Sequence, residues 1–370
     1  CLRIFKKDIF IILGRPIIEA KINFKDIPVL FLDEKRKKEI NGEFLIFRIN
    51  TETNELQIMN DRFASIPMFY FEYKKKIYIS LNYIDTFKNL IKLKILKIRD
   101  YTFYEFIIFQ RIFGSKMYDK KSKFFDSSNF LSFKNGNIIQ YSYWWPSKFK
   151  KFQSLKQNGK ILSDLIDQSI KRKFSGKEKK IGFFLSGGVD SRSILYKLSR
   201  IKKNITTFTF APSLNNEAMV AKKVSKNLNL KNDLISFGEN PYKNLIKEMS
   251  LLNPINFEFD HSLFLNLDKK KSKKYEFSTS GFGVDSFFQG LMIPFKQIKI
   301  YGLKTFFHKV DNEIYYTKNL TNYFIKTFAY RLKTADYKKI INNKKLKNLN
   351  KEMKKEIDII FQLGKKLFND

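Results

Sequence analysis

The sequence predicts an α/β domain built on a parallel sheet, preceded by a β-rich domain. The α/β domain is indicated first by residues 181–185, a short apolar run between chain breakers that is typical of a buried strand. A Gly-rich turn follows, and residues 192–200 then carry apolar side chains on one helical face. Further apolar runs alternate with helical patterns downstream, which indicates parallel strands joined by helices. Ligands bind such sheets at the carboxyl ends of the strands.

The other predicted elements follow from the period of the apolar residues. In the first domain we predict a helix at 101–112 and strands at 44–49, 56–59, 68–73, 77–81, 130–133 and 138–143. In the second we predict strands at 205–210 and 233–237, and helices at 161–170, 217–228, 240–252 and through 301–370. The polar and basic residues 146–158 are predicted to link a domain of residues 1–150 to one of residues 151–370.

Composition argues against several classes of protein. With 370 residues, of which 43% are hydrophobic, the chain is long enough for two packed domains and is not disordered. No apolar run approaches the roughly 18 residues of a membrane span, and two histidines with one cysteine argue against a structural zinc site. The single cysteine also excludes an intrachain disulfide, so we expect a cytoplasmic protein.

The net charge of +35 has two interpretations, a nucleic-acid partner or a lysine-rich amino-acid usage on a solvated surface. The lysines are spread along the chain and no RNA-binding motif accompanies them. We therefore expect the second interpretation and no nucleic-acid partner, although the charge would still favour an anionic substrate.

The Gly-rich turn consists of Ser186, Gly187, Gly188, Val189, Asp190 and Ser191. Its glycines allow backbone conformations closed to other residues, so the main chain can approach an anion closely. The N–H groups of the turn and of the following helix would then point at that anion. Asp190 adds a carboxylate oxygen suited to a phosphate-bound Mg²⁺. The alternative is a tight turn with Ser191 as the helix N-cap and no ligand.

This turn resembles the pyrophosphate-binding loop of the ATP pyrophosphatases, which cleave ATP between the α and β phosphates. The resemblance implies that ATP is bound by Leu185 and the six residues of the turn. The Gly-Lys-Ser/Thr ending of a Walker-type loop is absent. The motif alone leaves asparagine, NAD and GMP synthetases, and tRNA-modifying enzymes, all open.

A wider resemblance covers roughly residues 40–290. The sequences Asn41-Gly42-Glu43-Phe44, Asn60 to Tyr70 and Asn135 to Trp145 are similar to the glutaminase domain of the glutamine-hydrolysing asparagine synthetases. The resemblance implies an Ntn-hydrolase-like (glutaminase-type) domain of stacked antiparallel sheets. It also implies that the following ATP pyrophosphatase domain has the adenine-nucleotide α-hydrolase-like fold.

A second Gly-rich stretch, residues 277–290, resembles the Ser/Thr-Gly-Glu-Gly-x-Asp-Glu motif of the same family. The matching residues are Gly281, Gly283, Asp285 and Gly290. By resemblance, Asp190 and Asp285 hold Mg²⁺, and adenosine lies between the strand ending at Phe210 and the Ser280-Gly281 turn. The alternative is a surface turn in which Asp285 caps a helix.

Three residues depart from the family pattern near these motifs. Phe282 stands where asparagine synthetases have Glu, and a Phe side chain cannot transfer a proton. Relatives such as β-lactam synthetase carry Tyr there, so an aromatic residue is compatible with adenylation of another carboxylate. Ser286 replaces a second acidic residue, and Arg192 replaces a Ser and would either pair with phosphate or be exposed. These changes argue against asparagine as the product more strongly than they argue against the use of ATP.

Cys1 corresponds by resemblance to the N-terminal nucleophile that releases ammonia from glutamine. The family follows its Cys with Gly, whereas this chain has Leu2, and Asn41 replaces the Asp that pairs with the glutamine α-amine. Too few residues separate Cys1 from Asn41 for the family's whole glutamine pocket. We therefore expect a truncated or degenerate glutaminase domain, with a catalytic Cys1 as the alternative.

Together these features predict an ATP-dependent ligase of the asparagine synthetase type. It would convert a carboxylate, aspartate or a related acid, to an acyl-adenylate with Mg²⁺-ATP, and ammonia or an amine would then displace AMP. Glutamine or free ammonia would supply the nitrogen, and a homodimer is one candidate assembly. The alternatives are a catalytically degenerate binding module and a lysine-ligating, tRNA-modifying ATP pyrophosphatase.

Overall fold

The structure is a computed structural model that describes residues 1–109, 111–145, 154–176, 180–202, 204–237, 275–281, 295–300, 303–310 and 351. The described residues form two compact units, the first within Cys1–Gly176 and the second from residue 180 onward. No helix among the described residues is long and apolar enough to cross a membrane.

Antiparallel strands make up most of the first unit. They are β1 (Leu2–Phe5), β2 (Asp8–Ile18), β3 (Lys21–Ile22), β4 (Asn41–Asn50), β5 (Leu56–Asn60), β6 (Phe69–Tyr73), β7 (Lys76–Ser80), β8 (Lys123–Phe124), β9 (Asn129–Lys134) and β10 (Asn137–Ser142). One sheet has the order β1-β2-β4-β5-β9-β10 with β3 beside β2, and a smaller sheet has the order β7-β6-β8. The helices of this unit are α1 (Ile27–Leu32), α2 (Tyr83–Lys92), α3 (Asp100–Phe109) and α4 (Leu155–Lys173).

Strand β4 is apolar on both sides because both faces of the larger sheet are covered. Phe44 and Ile46 pack in a core that includes Phe31 of α1. Leu45 points to the other face and packs with Tyr70 of the smaller sheet. The predicted stacking of antiparallel sheets is therefore observed, and it explains a continuous apolar run rather than an alternating one. Assignment of this unit to the Ntn-hydrolase class stays a prediction.

The six strands predicted in the first domain are confirmed, and consecutive ones pair as three antiparallel hairpins. Asn135 and Gly136 both have positive φ, +52° and +81°, as a two-residue turn between paired strands requires. Helix α4 begins at Leu155, inside the segment that we predicted as a linker, which corrects that prediction. Ser154 and Gln157 form a capping box there, a start signal that the linker interpretation overlooked.

Asp61 is the buried centre of the Asn60 to Tyr70 motif. Its Oδ2 accepts hydrogen bonds from the N–H groups of Phe44 (3.1 Å) and Ser65 (3.0 Å), and its Oδ1 accepts from the N–H of Phe63 at 2.8 Å and the Ser65 hydroxyl at 3.0 Å. Four donors on one carboxylate fix the turn after β5 against β4. The acidic residue of this motif therefore has a structural role.

Asp61→Asn should lower the free energy of unfolding by about 3 kcal/mol, because an amide N–H₂ would face backbone donors inside the protein. Urea denaturation of the whole chain measures this. Asp126→Asn is the matched control, since Asp126 is exposed and its side chain accepts from a neighbouring N–H only. Equal stability of the two variants would contradict a structural role for Asp61.

The second unit contains the predicted parallel sheet. Its strands are β11 (Ile181–Phe184), β12 (Ile205–Ala211), β13 (Lys231–Ser236) and β14 (Phe277–Ser280), in the order β13-β12-β11-β14 with parallel neighbours throughout. Helix α5 (Val189–Ser199) follows β11, and helix α6 (Asn216–Asn227) follows β12. The chain adds β12 and β13 on one side of β11 and β14 on the other, so strand order reverses between β11 and β14.

A hairpin of β15 (Phe295–Ile300) and β16 (Leu303–Val310) lies further along the chain. The predicted helix through 301–370 is therefore wrong at Leu303–Val310. The sequence did contain a signal for this hairpin. Gly302 stands between two segments that each contain both apolar residues and lysines, a pattern compatible with two strands joined by a turn. The predicted helix at 240–252 lies outside the described residues.

Candidate functional site

The candidate site is the Gly-rich turn at the carboxyl end of β11. Leu185 is buried and still bonded to the sheet, since its N–H donates to the carbonyl of Phe208 at 2.8 Å. The chain then leaves the sheet at Ser186 and enters α5 at Val189. The turn therefore lies at the edge of the sheet where strand order reverses, the usual ligand position in this architecture.

Hydrogen bonds between its own residues hold the turn in shape. The Ser191 hydroxyl donates to the carbonyl of Gly188 at 3.1 Å, and the two serine oxygens, Ser186 Oγ and Ser191 Oγ, are 3.1 Å apart. Ser186 Oγ also accepts from the N–H of Gly188 at 3.3 Å. Gly188 is the N-cap of α5 and has no side chain to cap it, so the alternative with Ser191 as N-cap is wrong. An N-terminus without a side-chain cap leaves its N–H groups to another acceptor.

Two glycines let neighbouring backbone pack against the turn. Gly187 has φ +80°, and a Cβ there would lie 2.6 Å from the carbonyl oxygen of Glu217 in the first turn of α6. At Gly281, which directly follows β14, a Cβ would lie 2.7 Å from the Cα of Ser191 and 2.8 Å from its nitrogen. Backbone from α6 and from the end of β14 therefore holds the turn from two directions.

Asp190 lies half-buried in the first turn of α5. An acidic side chain is favourable there because the helix N-terminus carries partial positive charge. The described residues contain no cluster of three or more potential metal ligands. Mg²⁺ bound with a nucleotide needs only one or two protein carboxylates, so Asp190 fits it. Asp285 lies outside the described residues, and the pairing of the two carboxylates stays a prediction.

The predicted adenosine-flanking residues lie at the carboxyl ends of β12 and β14, the two strands that pair with β11. Phe210 is the penultimate residue of β12, and its ring stacks on that of Phe184 with centroids 5.7 Å apart and an interplanar angle of 23°. Ser280 ends β14 and pairs in register with Phe184 of β11. The structure thus brings Phe210, the turn, Ser280 and Gly281 to one edge. Gly283, Gly290, Phe282 and Ser286 lie outside the described residues.

Arg192 lies beside the turn. Its Nε donates to the carbonyl of Gly188 at 3.3 Å, and its own N–H donates to the same oxygen at 3.1 Å. The side chain therefore bends back onto the turn, and the residue as a whole is half-buried. This position adds a positive charge next to the N-terminus of α5.

Sequence reasoning missed two polar residues that support the turn from the sheet, Thr209 of β12 and Asn232 of β13. Thr209 Oγ1 donates to the carbonyl of Leu185 at 2.9 Å, and Asn232 Nδ2 donates to Thr209 Oγ1 at 3.0 Å. The available signal was a Thr at a buried position of an apolar strand, where a hydroxyl must find a partner.

Cys1 lies at the edge of the first unit. Its α-amine donates to the carbonyl of Ile12 at 2.7 Å, and its thiol is exposed. Cys1 lies opposite Ile12 of β2, whereas Asn41 pairs with Ile17 on the other side of that strand, about 17 Å further along it. The structure therefore does not bring Cys1 and Asn41 together.

A family model described as asparagine synthase matches residues 162–360, more than half of the chain. A search of curated protein sequences found no match. Two solved structures are similar in part. The NH3-dependent NAD synthetase from Campylobacter jejuni subsp. jejuni NCTC 11168, in complex with the nitrate ion, is 17% identical, with 55% of this chain and 95% of that chain covered and a TM-score of 0.26. The glutamine-dependent NAD+ synthetase from Acinetobacter baumannii, in complex with adenosine diphosphate, is 11% identical, with 78% and 66% covered and a TM-score of 0.27.

Proposed function

The chain belongs to the asparagine synthase family, and we propose that it is an ATP-dependent ligase that adenylates a carboxylate and then forms an amide. Family membership supports an ATP-dependent, amide-forming ligase that uses a pyrophosphate-binding loop. The observation that carries the proposal is the turn Ser186 to Ser191, which has an N-cap without a side chain and lies at the strand-order reversal.

The proposed reaction has two steps. An oxygen of the substrate carboxylate attacks the α-phosphorus of ATP, the bond to the β-phosphate oxygen breaks, and pyrophosphate leaves. Ammonia or an amine then attacks the acyl carbon, loses a proton, and expels AMP. The product is an amide.

The residues of the turn would act on the phosphates. The N–H groups at the start of α5 would bind the pyrophosphate part of ATP and stabilise the charge that builds up as it leaves. Gly187 and Gly188 let the backbone approach that group closely. Asp190, with Asp285, would hold Mg²⁺, which supplies positive charge to the phosphate oxygens when bound. Phe210 and the Ser280-Gly281 turn would flank adenosine.

We further propose ammonia rather than glutamine as the nitrogen donor. The absence of an acidic residue at position 41, where the family has the Asp that pairs with the glutamine α-amine, supports this choice. Aspartate is the first carboxylate to test because of the family. Phe282 makes a related acid the second choice, since Glu stands at its position in asparagine synthetases.

ATP–pyrophosphate exchange with Mg²⁺ over a panel of carboxylates, aspartate included, tests the proposal. Exchange that depends on one carboxylate is the expected result and identifies the acceptor. The rate of amide formation is then measured with ammonium and with glutamine, in the wild type and in Cys1→Ala. With ammonium, the wild type and Cys1→Ala are expected to have equal rates. Binding of ATP without exchange on any carboxylate would contradict the ligase proposal and favour a nucleotide-binding module.

A further inference from the structure

A chain of side-chain hydrogen bonds runs through β12 and β13 beneath the turn. Thr207 and Thr209 lie on one face of β12 and are both buried. Asn232 of β13 is the register partner of Thr207, and its Nδ2 lies 2.8 Å from Thr207 Oγ1 and 3.0 Å from Thr209 Oγ1. At the end of this hydrogen-bond network nearest the turn, Thr209 Oγ1 lies 2.9 Å from the carbonyl oxygen of Leu185. The network therefore connects β12 and β13 to Leu185, the residue that precedes the turn.

The proton on each oxygen in this network follows from its partners. The carbonyl of Leu185 can only accept, so the single hydroxyl proton of Thr209 is donated to it. Thr209 then has only lone pairs for Asn232, which must present its N–H₂ group. Thr207 Oγ1 lies 3.0 Å from the carbonyl of Lys231 and 2.8 Å from Ser225 Oγ, and its donation to the carbonyl leaves lone pairs for Ser225 and Asn232. Both protons of the Asn232 amide are thus donated to threonine oxygens, which gives the amide one orientation.

This network controls the direction of one peptide group in the turn. The N–H of Leu185 donates to Phe208, and its carbonyl accepts from Thr209, so β12 holds Leu185 from both backbone groups. The peptide between Leu185 and Ser186 is planar and trans, so its N–H points opposite to its C=O. Holding the carbonyl toward Thr209 of β12 therefore directs the N–H of Ser186 to the opposite side of β11, the side on which β14 lies.

We infer that Thr209 and Asn232 are positioning residues for phosphate binding, an inference that rests on the proposed function. Thr209 sets the orientation of the Leu185–Ser186 peptide, and Asn232 sets the direction of the Thr209 hydroxyl proton. Neither side chain contacts the nucleotide. They pre-orient one backbone donor so that it does not need to turn when ATP binds.

The test compares Thr209→Val, which keeps the shape and removes the hydroxyl, with Thr209→Ser, which keeps the hydroxyl. In ATP–pyrophosphate exchange, Thr209→Val should raise KM for ATP and for pyrophosphate about tenfold, by analogy with the low end of the loss caused by removing a group that orients a metal ligand. KM for the carboxylate should stay unchanged, and Thr209→Ser should restore wild-type values. Thr206→Val is the matched control, because it makes the same substitution on the other face of β12.

Asn232→Asp gives an independent variant if Thr209→Val does not fold. A carboxylate cannot donate to Thr209, so the hydroxyl proton would turn toward it and leave Leu185. This variant should raise the same two KM values. If the wild type exchanges normally and a folded Thr209→Val or Asn232→Asp variant has the same KM values as the wild type, this inference is overturned. The proposed function is not affected by that result. A wild-type chain that neither exchanges nor binds ATP would overturn the proposed function and this inference with it.

Discussion

Asp190→Asn is expected to lower the rate of ATP–pyrophosphate exchange about 100-fold or more, because it removes a negative charge that would hold Mg²⁺ at the phosphates. The substitution keeps the size of the side chain. Its cost to folding should be small, about 0.5 kcal/mol from the lost interaction with the N-terminus of α5. Exchange should recover in part at higher Mg²⁺ concentration, since a weakened site is filled by mass action.

Glu217→Gln is the matched control for this experiment. Glu217 is also an acidic residue in the first turn of a helix, and its carbonyl lies against the same turn at Gly187. Its side chain is exposed, so the substitution changes charge near the site without removing the proposed ligand. Exchange in Glu217→Gln should stay close to that of the wild type. Asp190→Asn with wild-type exchange and an unchanged Mg²⁺ requirement would refute a metal-binding role for Asp190.

The parallel sheet and its turn could be predicted because their signals are local. Residues 181–184 form a short apolar strand directly before a Gly-rich turn, and the helix after it has a clear apolar face. The Asn135-Gly136 turn is equally local, since two residues with positive φ join paired strands. In each case the residues that determine the structure are neighbours in the chain.

The first forty residues were not predicted, because their structure depends on distant partners. Strand β2 contains Gly14, Arg15 and Pro16, which weaken a strand pattern, yet it pairs with β4 over most of its length. Gly42 explains part of this, because a Cβ there would lie 2.3 Å from the carbonyl of Arg15. Such an approach of two strands depends on tertiary packing, which overrides local propensity.

The support of the site was also beyond sequence reasoning. Thr209 and Asn232 are 23 positions apart in the sequence and meet only through the register of β12 and β13. Asp61 could be recognised as part of a motif, but the four hydrogen-bond donors to its carboxylate come from β4 and from the turn after β5. A motif can therefore draw attention to a residue such as Asp61, whereas strand pairing and the local turn decide what its side chain contacts.

Gly281→Ala is expected to lower ATP–pyrophosphate exchange about 100-fold, the loss that a displacement of roughly 1 Å at a reacting centre can cause. The added Cβ would lie 2.7 Å from the Cα and 2.8 Å from the nitrogen of Ser191. Both are backbone atoms in the first turn of α5, so no side-chain rotation can relieve the overlap. Either the end of β14 or the N-terminus of α5 must shift, and both belong to the proposed ATP site.

Gly159→Ala is the matched control, because no atom lies within 4 Å of the Cβ that it would add. Gly159 lies within α4, so its replacement by alanine should raise stability by up to about 1 kcal/mol and leave exchange unchanged. Thermal unfolding and exchange should be measured on both variants. A Gly281→Ala chain that is folded and exchanges at the wild-type rate would show that the packing of β14 on α5 does not position the phosphates. A loss of exchange, with KM for ATP raised, would instead make this glycine contact part of the site.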